Sequence, residues 1–380
     1  MTPSDNRLHI ISFDVPYPPN YGGVIDVYYK IKSLKELGVD VILHTYEYGR
    51  ARSEELEALC YKVYYYRRKI YKDPVFTKLP YIVATRNSSE LLQHLLRDDA
   101  PILFEGIHCC YYLAHTALRG RYKIVRTHNI EHIYYKNLAR IEKNLFKKYF
   151  FSIEAQRLKN FESILLNASA IAAISPDDTK ILRLKYKNVF YLPVFHANNE
   201  VDILPGKGEY ALYHGNLAVG ENAEAALYLV NEVFNDFPYM LIIAGSNPGK
   251  DLRKATEGRK NVVLLDKVTT SEINQLVGEA QVNVLPTFQN TGMKLKLINV
   301  LFKGRHCIVN TKMVRNSGLE SLCHVGQDAL EIKKLVKKYM QVPFTKDDIE
   351  VRKEHLHDDF GNRENAALLL GRLMSSTNLV

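Results

Sequence analysis

The chain has 380 residues, an apolar and charged content ordinary for a globular protein, and a formal net charge of +9. That length exceeds one ordinary core and predicts two domains. The composition excludes collagen-like, short-repeat and disordered classes, and the positive charge favours anionic partners: nucleotide phosphates, lipid headgroups or nucleic acid.

The first residues, MTPSDNRLHIISFD, carry no basic-then-apolar leader, and no apolar run approaches the ~18–20 residues that span a bilayer. A cytoplasmic protein is therefore expected. LHIISF (8–13) is a short apolar run of strand type. VIDVYYKIKSLKELG (24–38) puts Val24, Val27, Tyr28, Ile31, Leu34 and Leu37 on one helical face and stops at Gly38. VDVILHTY (39–46) is the next strand, and PILFEG (101–106) and YKIVRTH (122–128) are further buried strands with polar ends. A long helical region (about 131–167) precedes the strands ASAIAAIS (168–175) and NVFYLPV (188–194). Such alternation predicts a parallel sheet covered on both faces.

EVDILPGKGE (200–209) is the most linker-like segment. A second alternating series follows: YALYHG (210–215), a helix from Asn222, YMLIIAG (239–245), NVVLL (261–265), SEINQLVGEA (271–280) and QVNVLP (281–286). It ends in NTGMKLKLINVLFKGRHCIVN (290–310), which reads as loop, amphipathic helix, glycine stop and buried strand. The fold class is therefore α/β, with two Rossmann-like domains whose parallel sheets face across a cleft. The expected divisions are 1–198, a linker at 199–209, 210–345, and a closing helical segment over 346–380.

Ligands of open parallel sheets bind beyond the carboxyl ends of the strands, which directs attention to the residues there. PYPPNYGG (16–23) ends in Gly22 and Gly23 at a helix start; the pair suits either a tight turn or a backbone approaching phosphate. PILFEG ends in Glu105. THNIEH (127–132) offers His128 for a sugar hydroxyl, a phosphate or proton transfer, with Asn129 as a helix cap and Glu131 complementing the helix dipole. In the second half the corresponding residues are Gly215 and Asn216, Gly245 and Ser246, and the segment Pro286 to Lys296. Lysines at 294 and 296 stand just inside a helix start, where the dipole disfavours them unless an anion is bound, so the segment reads as a diphosphate cradle or as solvated lysines.

No GxGxxG follows a strand, which counts against a dinucleotide enzyme, and no DxD or metal-ligand spacing occurs. The five cysteines (60, 109, 110, 307 and 323) are odd in number, lie in or near apolar stretches without CxxC spacing, and read as buried thiols. KVYYYRRKIYKDPVFTK (62–78) and NLFKKYFFSIEAQRLKNFE (144–162) mix aromatics with basic residues, as an interfacial surface does, yet both also fit ordinary surface elements. No nucleic-acid signature accompanies them.

Taken together, Gly22–Gly23, THNIE, YHGNLAVGEN, LIIAGSNP and VNVLPTFQNTGMKLKLINVLFKGRHCIVN resemble the GT-B glycosyltransferases, in particular the family 4 (group 1) branch, over nearly the whole length. The resemblance implies sugar transfer from a UDP- or GDP-sugar, with no metal and no cofactor, to a polysaccharide or lipid-linked saccharide. Nucleic acid is not an expected partner; the basic N-terminal surface predicts a loose peripheral contact with an anionic membrane, which fits a lipid-linked acceptor. The resemblance also implies that the last helix crosses back to the first domain. Gly22 and Gly23 would face the donor phosphates or acceptor, and His128 the donor sugar. Gly215 and Asn216 fall where the family has a glycine and a phosphate-binding arginine. Thr291 and Asn299 replace the two glutamates of the E-x7-E pattern, and Lys296 matches the lysine of a K-x-x-E variant that binds diphosphate. The backbone through Thr291, Gly292, Met293 and Lys294 would complete the cradle.

The missing carboxylates matter, because losing one positioned electrostatic partner often costs ~3–4 kcal/mol at a transition state. Asp14, Glu105 or Glu131 would have to compensate. The rival expectation is a non-catalytic GT-B-like protein that binds nucleotide or glycan as a scaffold in a polysaccharide-biosynthesis complex; a GT-B-like epimerase or phosphorylase shares the pattern.

Overall fold

The computed structural model describes residues 6–70, 78–142, 144–288, 295–315 and 317–374. The chain divides into two compact units, one comprising 1–196 with 360–380 and the other 197–359.

The first unit is built on β1 (Arg7–Ser12), β2 (Asp40–Glu47), β3 (Lys62–Arg67), β4 (Ile102–Glu105), β5 (Lys123–Thr127), β6 (Ala170–Ala173) and β7 (Val189–Tyr191). All pair in parallel, in the order β3-β2-β1-β4-β5-β6-β7. Alternate side chains of each strand feed two cores. Leu8, Ile10 and Leu103 pack on one face against Val27, Ile31 and Leu34 of the helix Gly22–Glu36. Ile11, Ile102, Phe104 and Val125 fill the other. The Gly22–Glu36 helix stops where the reading of the sequence put it, since Gly38 takes φ +81°, a conformation costly for any residue with a Cβ.

The second unit repeats the plan with β8 (Tyr210–Asn216), β9 (Met240–Ser246), β10 (Val262–Asp266), β11 (Val282–Leu285), β12 (His306–Val309) and β13 (His324–Val325). The order is β10-β9-β8-β11-β12-β13, again parallel. Leu297, Ile298, Val300 and Leu301 of the amphipathic helix Leu295–Lys303 are fully buried.

Boundaries differ from the expected ones in two places. The expected linker 199–209 belongs to the second unit: Asp202 N–H donates to Phe302 O at 2.8 Å, and Gly206 bridges Phe344 in antiparallel fashion. The closing segment does not act as one piece. The helix Lys346–Phe360 falls almost wholly in the second unit, tied through Arg352, whose guanidinium donates to Leu301 O at 2.9 Å. The helix Asn362–Met374 belongs to the first unit, with Ala366, Leu369 and Leu373 buried in the core shared with Val27 and Ile31. Among the described residues no helix is long and apolar enough to cross a membrane. All five cysteines are free, four of them buried.

Candidate functional site

Each sheet reverses its strand order once, between β1 and β4 and between β8 and β11. The crossovers leave these points in opposite directions, so the carboxyl ends of those strands open a crevice that no crossover covers. In both units the polar side chains gather there.

In the first unit the Gly22–Glu36 helix buries Asp26 and Lys30, one turn apart, on its inward stripe. Lys30 Nζ donates to Asp26 Oδ2 at 2.9 Å and to Glu105 Oε1, at the end of β4, at 2.7 Å. Arg126 of β5 donates to both Asp26 oxygens, at 3.0 and 3.2 Å, and Phe195 N–H adds a bond at 2.8 Å. Asp26, Lys30, Glu105 and Arg126 are wholly buried, two carboxylates against two permanent cations. Burial alone raises a carboxyl group. Here Arg126 and Lys30 outweigh it, holding Asp26 far below the usual carboxylate range; Lys30 and the His128 bond likewise outweigh burial at Glu105 and lower its pKa.

His128, just past β5, joins this network. Its Nε2 lies 3.0 Å from Glu105 Oε2 and its Nδ1 4.0 Å from Asp26 Oδ2, with about a tenth of the side chain exposed. Phe13 meets the imidazole edge-on, with ring centroids 5.5 Å apart. Gly106, at φ +75°, keeps the corner open, because a Cβ there would sit 2.7 Å from His108 Nδ1. Asp26, Glu105 and His128 offer three ligand atoms within 4.8 Å of one another, a set able to hold a cation, but the Lys30 ammonium bonded to both carboxylates already neutralises them.

In the second unit Asn222, near the start of the helix Gly220–Tyr228, is the hub. Its Nδ2 donates to Asn216 O at 2.9 Å, and its Oδ1 accepts from Lys296 Nζ at 2.6 Å. Lys296 also reaches Tyr213 Oη at 3.4 Å and stands 5.1 Å from that ring's centroid. Glu221 bonds the Thr287 hydroxyl just past β11. His214 is buried, and its Nε2 has no hydrogen-bond partner among the described residues. Burial, helped by the Lys296 charge, pushes its pKa down to about 3, so the ring stays neutral.

The residues singled out from sequence divide as follows. His128 and Glu105 are in direct contact. Glu131 is buried apart from them. The position before its helix is Ile130, without a side-chain cap, and Asn129 does not cap the helix as expected; it bonds the Glu131 carboxyl instead. Burial pushes that carboxyl up to about 7, with nearby Asp178 adding to the rise. Gly22 and Gly23 begin their helix, and a Cβ on Gly23 would lie 2.6 Å from the Phe13 ring.

Gly215 and Gly245 are register partners, and a Cβ on Gly245 would fall 1.9 Å from Gly215 O; packing of the sheet alone demands that glycine. Asn216 Oδ1 accepts from Ala218 N at 3.1 Å and from Ser246 Oγ at 3.5 Å, beside the Asn222 hub. Asn299 lies in an amide chain, accepting from Asn198 at 3.2 Å and donating to Asn274 at 3.1 Å. Thr291, Gly292, Met293 and Lys294 lie outside the described residues.

Asp26, Lys30, Arg126, Asn222 and Glu221 were missed in the sequence. A signal existed for the first three: Asp26 and Lys30 sit four apart on a helix, the spacing at which opposite charges meet, and Arg126 interrupts an apolar strand. Asn222 and Glu221 carry no such mark. Their role comes from β8 lying beside β11, and Glu221 neighbours the same Tyr213 that Lys296 touches.

No protein-family model matches the chain. It is 26% identical over 316 residues to an uncharacterized 44.6 kDa protein in the cps region of Klebsiella pneumoniae, covering 78% of this chain and 80% of that one. A glycosyltransferase from Rickettsia africae superimposes with a TM-score of 0.67 at 12% identity, covering 99% of this chain and 100% of that one. A mutant of S. aureus TarM in complex with fondaparinux, alpha-GlcNAc-glycerol and UDP superimposes with a TM-score of 0.65 at 10% identity, over 97% and 99% of the two chains. The structural neighbours are GT-B glycosyltransferases matched over nearly their whole length, and the two parallel sheets of this chain have the GT-B fold.

Proposed function

We propose that this protein is a glycosyltransferase, metal-independent and hexosyltransferase-like, that moves a sugar from a UDP- or GDP-sugar to a polysaccharide or lipid-linked saccharide. The observation that carries the proposal is the Lys296 ammonium, in the helix that follows β11, bonded to Tyr213 of β8 and to Asn222 past its end, in a GT-B fold. A diphosphate there would exchange neutral partners of Lys296 for its own oxygens, gaining charge-assisted hydrogen bonds. The UDP in the TarM complex and the cps-region location of the Klebsiella relative support a nucleotide-sugar and a capsule-type saccharide.

In transfer, the bond from the sugar's anomeric carbon to the diphosphate breaks, an acceptor hydroxyl oxygen bonds that carbon, and the hydroxyl proton passes to the departing diphosphate or to water. Lys296 meets the charge growing on the leaving diphosphate. We assign the donor-sugar contact to His128, whose imidazole is held by Glu105 at 3.0 Å. Glu105 is itself committed to Lys30, so it orients the imidazole and is not the carboxylate that faces the sugar carbon. Metal-independence fits this arrangement, since protein cations already neutralise Asp26 and Glu105.

Calorimetric titration with UDP and GDP tests the core. Binding of either, followed by release of that nucleotide from its sugar conjugate only when a saccharide acceptor is added, is expected; no binding at millimolar nucleotide overturns it. The scaffold alternative is favoured by one observation, the Asn198–Asn299–Asn274 chain, which engages both ends of the amide placed where the family has a ribose-binding glutamate. Nucleotide binding without turnover in the presence of saccharide acceptors would select it.

A further inference from the structure

The helices Glu131–Ile141 and Leu145–Phe161 pack as an antiparallel pair, and the first makes its main contacts with the second instead of with the sheet. The pair begins just past β5, beside His128. Eleven helical residues place the far end of the first helix about 16 Å from Glu131. At that far end Leu145 is 77% exposed, Phe146 87% and Tyr149 67%. Single exposed apolar residues need no explanation, but three large ones on one helical turn of a charged surface do.

The exposed charges beside them are positive. Lys147, Lys148 and Arg140 are exposed beside the three apolar side chains. The first turn of the second helix contains no acidic residue, so its lysines stand uncompensated against the helix dipole. Glu142, between the two helices, accepts the Asn144 N–H at 2.9 Å, and Asn144 caps the second helix by accepting from Lys147 N.

We propose that this helix-pair tip docks on an anionic lipid bilayer, with Leu145, Phe146 and Tyr149 entering the headgroup layer and Lys147, Lys148 and Arg140 meeting lipid phosphates. Apolar and aromatic side chains flanked by lysines suit that boundary, where ring and aliphatic stem leave water while the cations keep anionic partners. A second copy of this chain is the poorer occupant, because a two-fold contact would set the lysines against their own counterparts. The docking stands independently of sugar transfer, since it concerns a surface and not the crevice.

The test is co-sedimentation of the whole protein with vesicles of phosphatidylcholine alone and of phosphatidylcholine with phosphatidylglycerol. Binding to the anionic vesicles only is expected, weakening as salt rises from about 0.1 to about 0.5 M. The double variant Leu145→Ser/Phe146→Ser should lose roughly tenfold or more in partitioning, with an unchanged melting temperature because both side chains are already in water. Lys147→Glu/Lys148→Glu should abolish binding at low salt. The proposal is overturned if the wild type binds neither vesicle or both equally, or if the serine variant binds as well as the wild type. It is also overturned if light scattering shows a wild-type dimer that the serine variant dissociates, which would assign the tip to a second copy.

Discussion

The Lys30 ammonium lies 2.7 Å from Glu105 Oε1, and neither side chain has any exposure to solvent. The same ammonium holds Asp26 at 2.9 Å, so removing it strands two buried carboxylates with Arg126 as their remaining permanent cation. Lys30→Met is expected to destabilise the protein by ~3–5 kcal/mol, the usual cost of breaking a buried ion pair from one side. Urea unfolding measures it; a loss below ~1 kcal/mol would mean that the network does not hold the first unit together.

Acid should attack the same network. The folded state holds both Asp26 and Glu105 below their ordinary carboxylate values. Their contribution is complete above the unfolded carboxylate range and drains away as pH falls through that range towards the folded values. Unfolding midpoints measured from pH 7 down to pH 3 should fall steadily below about pH 5, and the Lys30→Met variant should show a shallower decline.

Glu131 should behave in the opposite sense. Its folded pKa is pushed up to about 7 from 4.5, so the folded state keeps a proton that the unfolded chain has already released. Stability therefore falls as pH rises between those values and stays lower above them. Glu131→Gln is expected to be nearly neutral at pH 4 and to raise stability by ~1–3 kcal/mol at pH 8. Thermal melts at the two pH values compare them, and a variant less stable at pH 8 than the wild type would refute the assignment.

For the donor site, Lys296→Ala should weaken UDP or GDP binding by roughly tenfold to a hundredfold, the worth of a charged hydrogen bond. Because the Lys296 charge also helps keep His214 neutral, the His214 pKa should rise in the variant. Calorimetry reads the first effect and NMR titration the second; unaltered nucleotide affinity would remove Lys296 from the site.

His128→Ala should lower kcat by roughly a hundredfold or more, yet leave nucleotide Kd within about twofold, since the nucleotide is proposed to rest on the second unit. Equal losses in nucleotide affinity and turnover would contradict that division of labour.

Much of the architecture was legible because periodicity is a local property. Val27, Ile31 and Leu34 repeat at helical spacing, and runs such as 170–173 are short and wholly apolar, so helix and strand alternate visibly along the chain. The ends of β4, β5 and β8 likewise pointed to Glu105, His128 and Asn216 as residues to watch. The role of Gly245 was not legible: its missing side chain answers to the Gly215 carbonyl on the neighbouring strand, and pairing between distant segments is invisible in either segment alone. The closing segment read as one piece and folds as two for a similar reason, because Arg352 and Leu369 find their partners in different units.

The sequence by itself determined two parallel α/β sheets and the strand ends from which polar groups must emerge, since both follow from short-range alternation of apolar and polar residues. Tertiary structure decided which charges neutralise one another. Lys30 and Glu105 are 75 positions apart, and Lys296 and Asn222 are 74 apart. Only the strand orders that set β1 beside β4 and β8 beside β11 bring such groups within 3 Å, the range at which burial makes a charge partner obligatory.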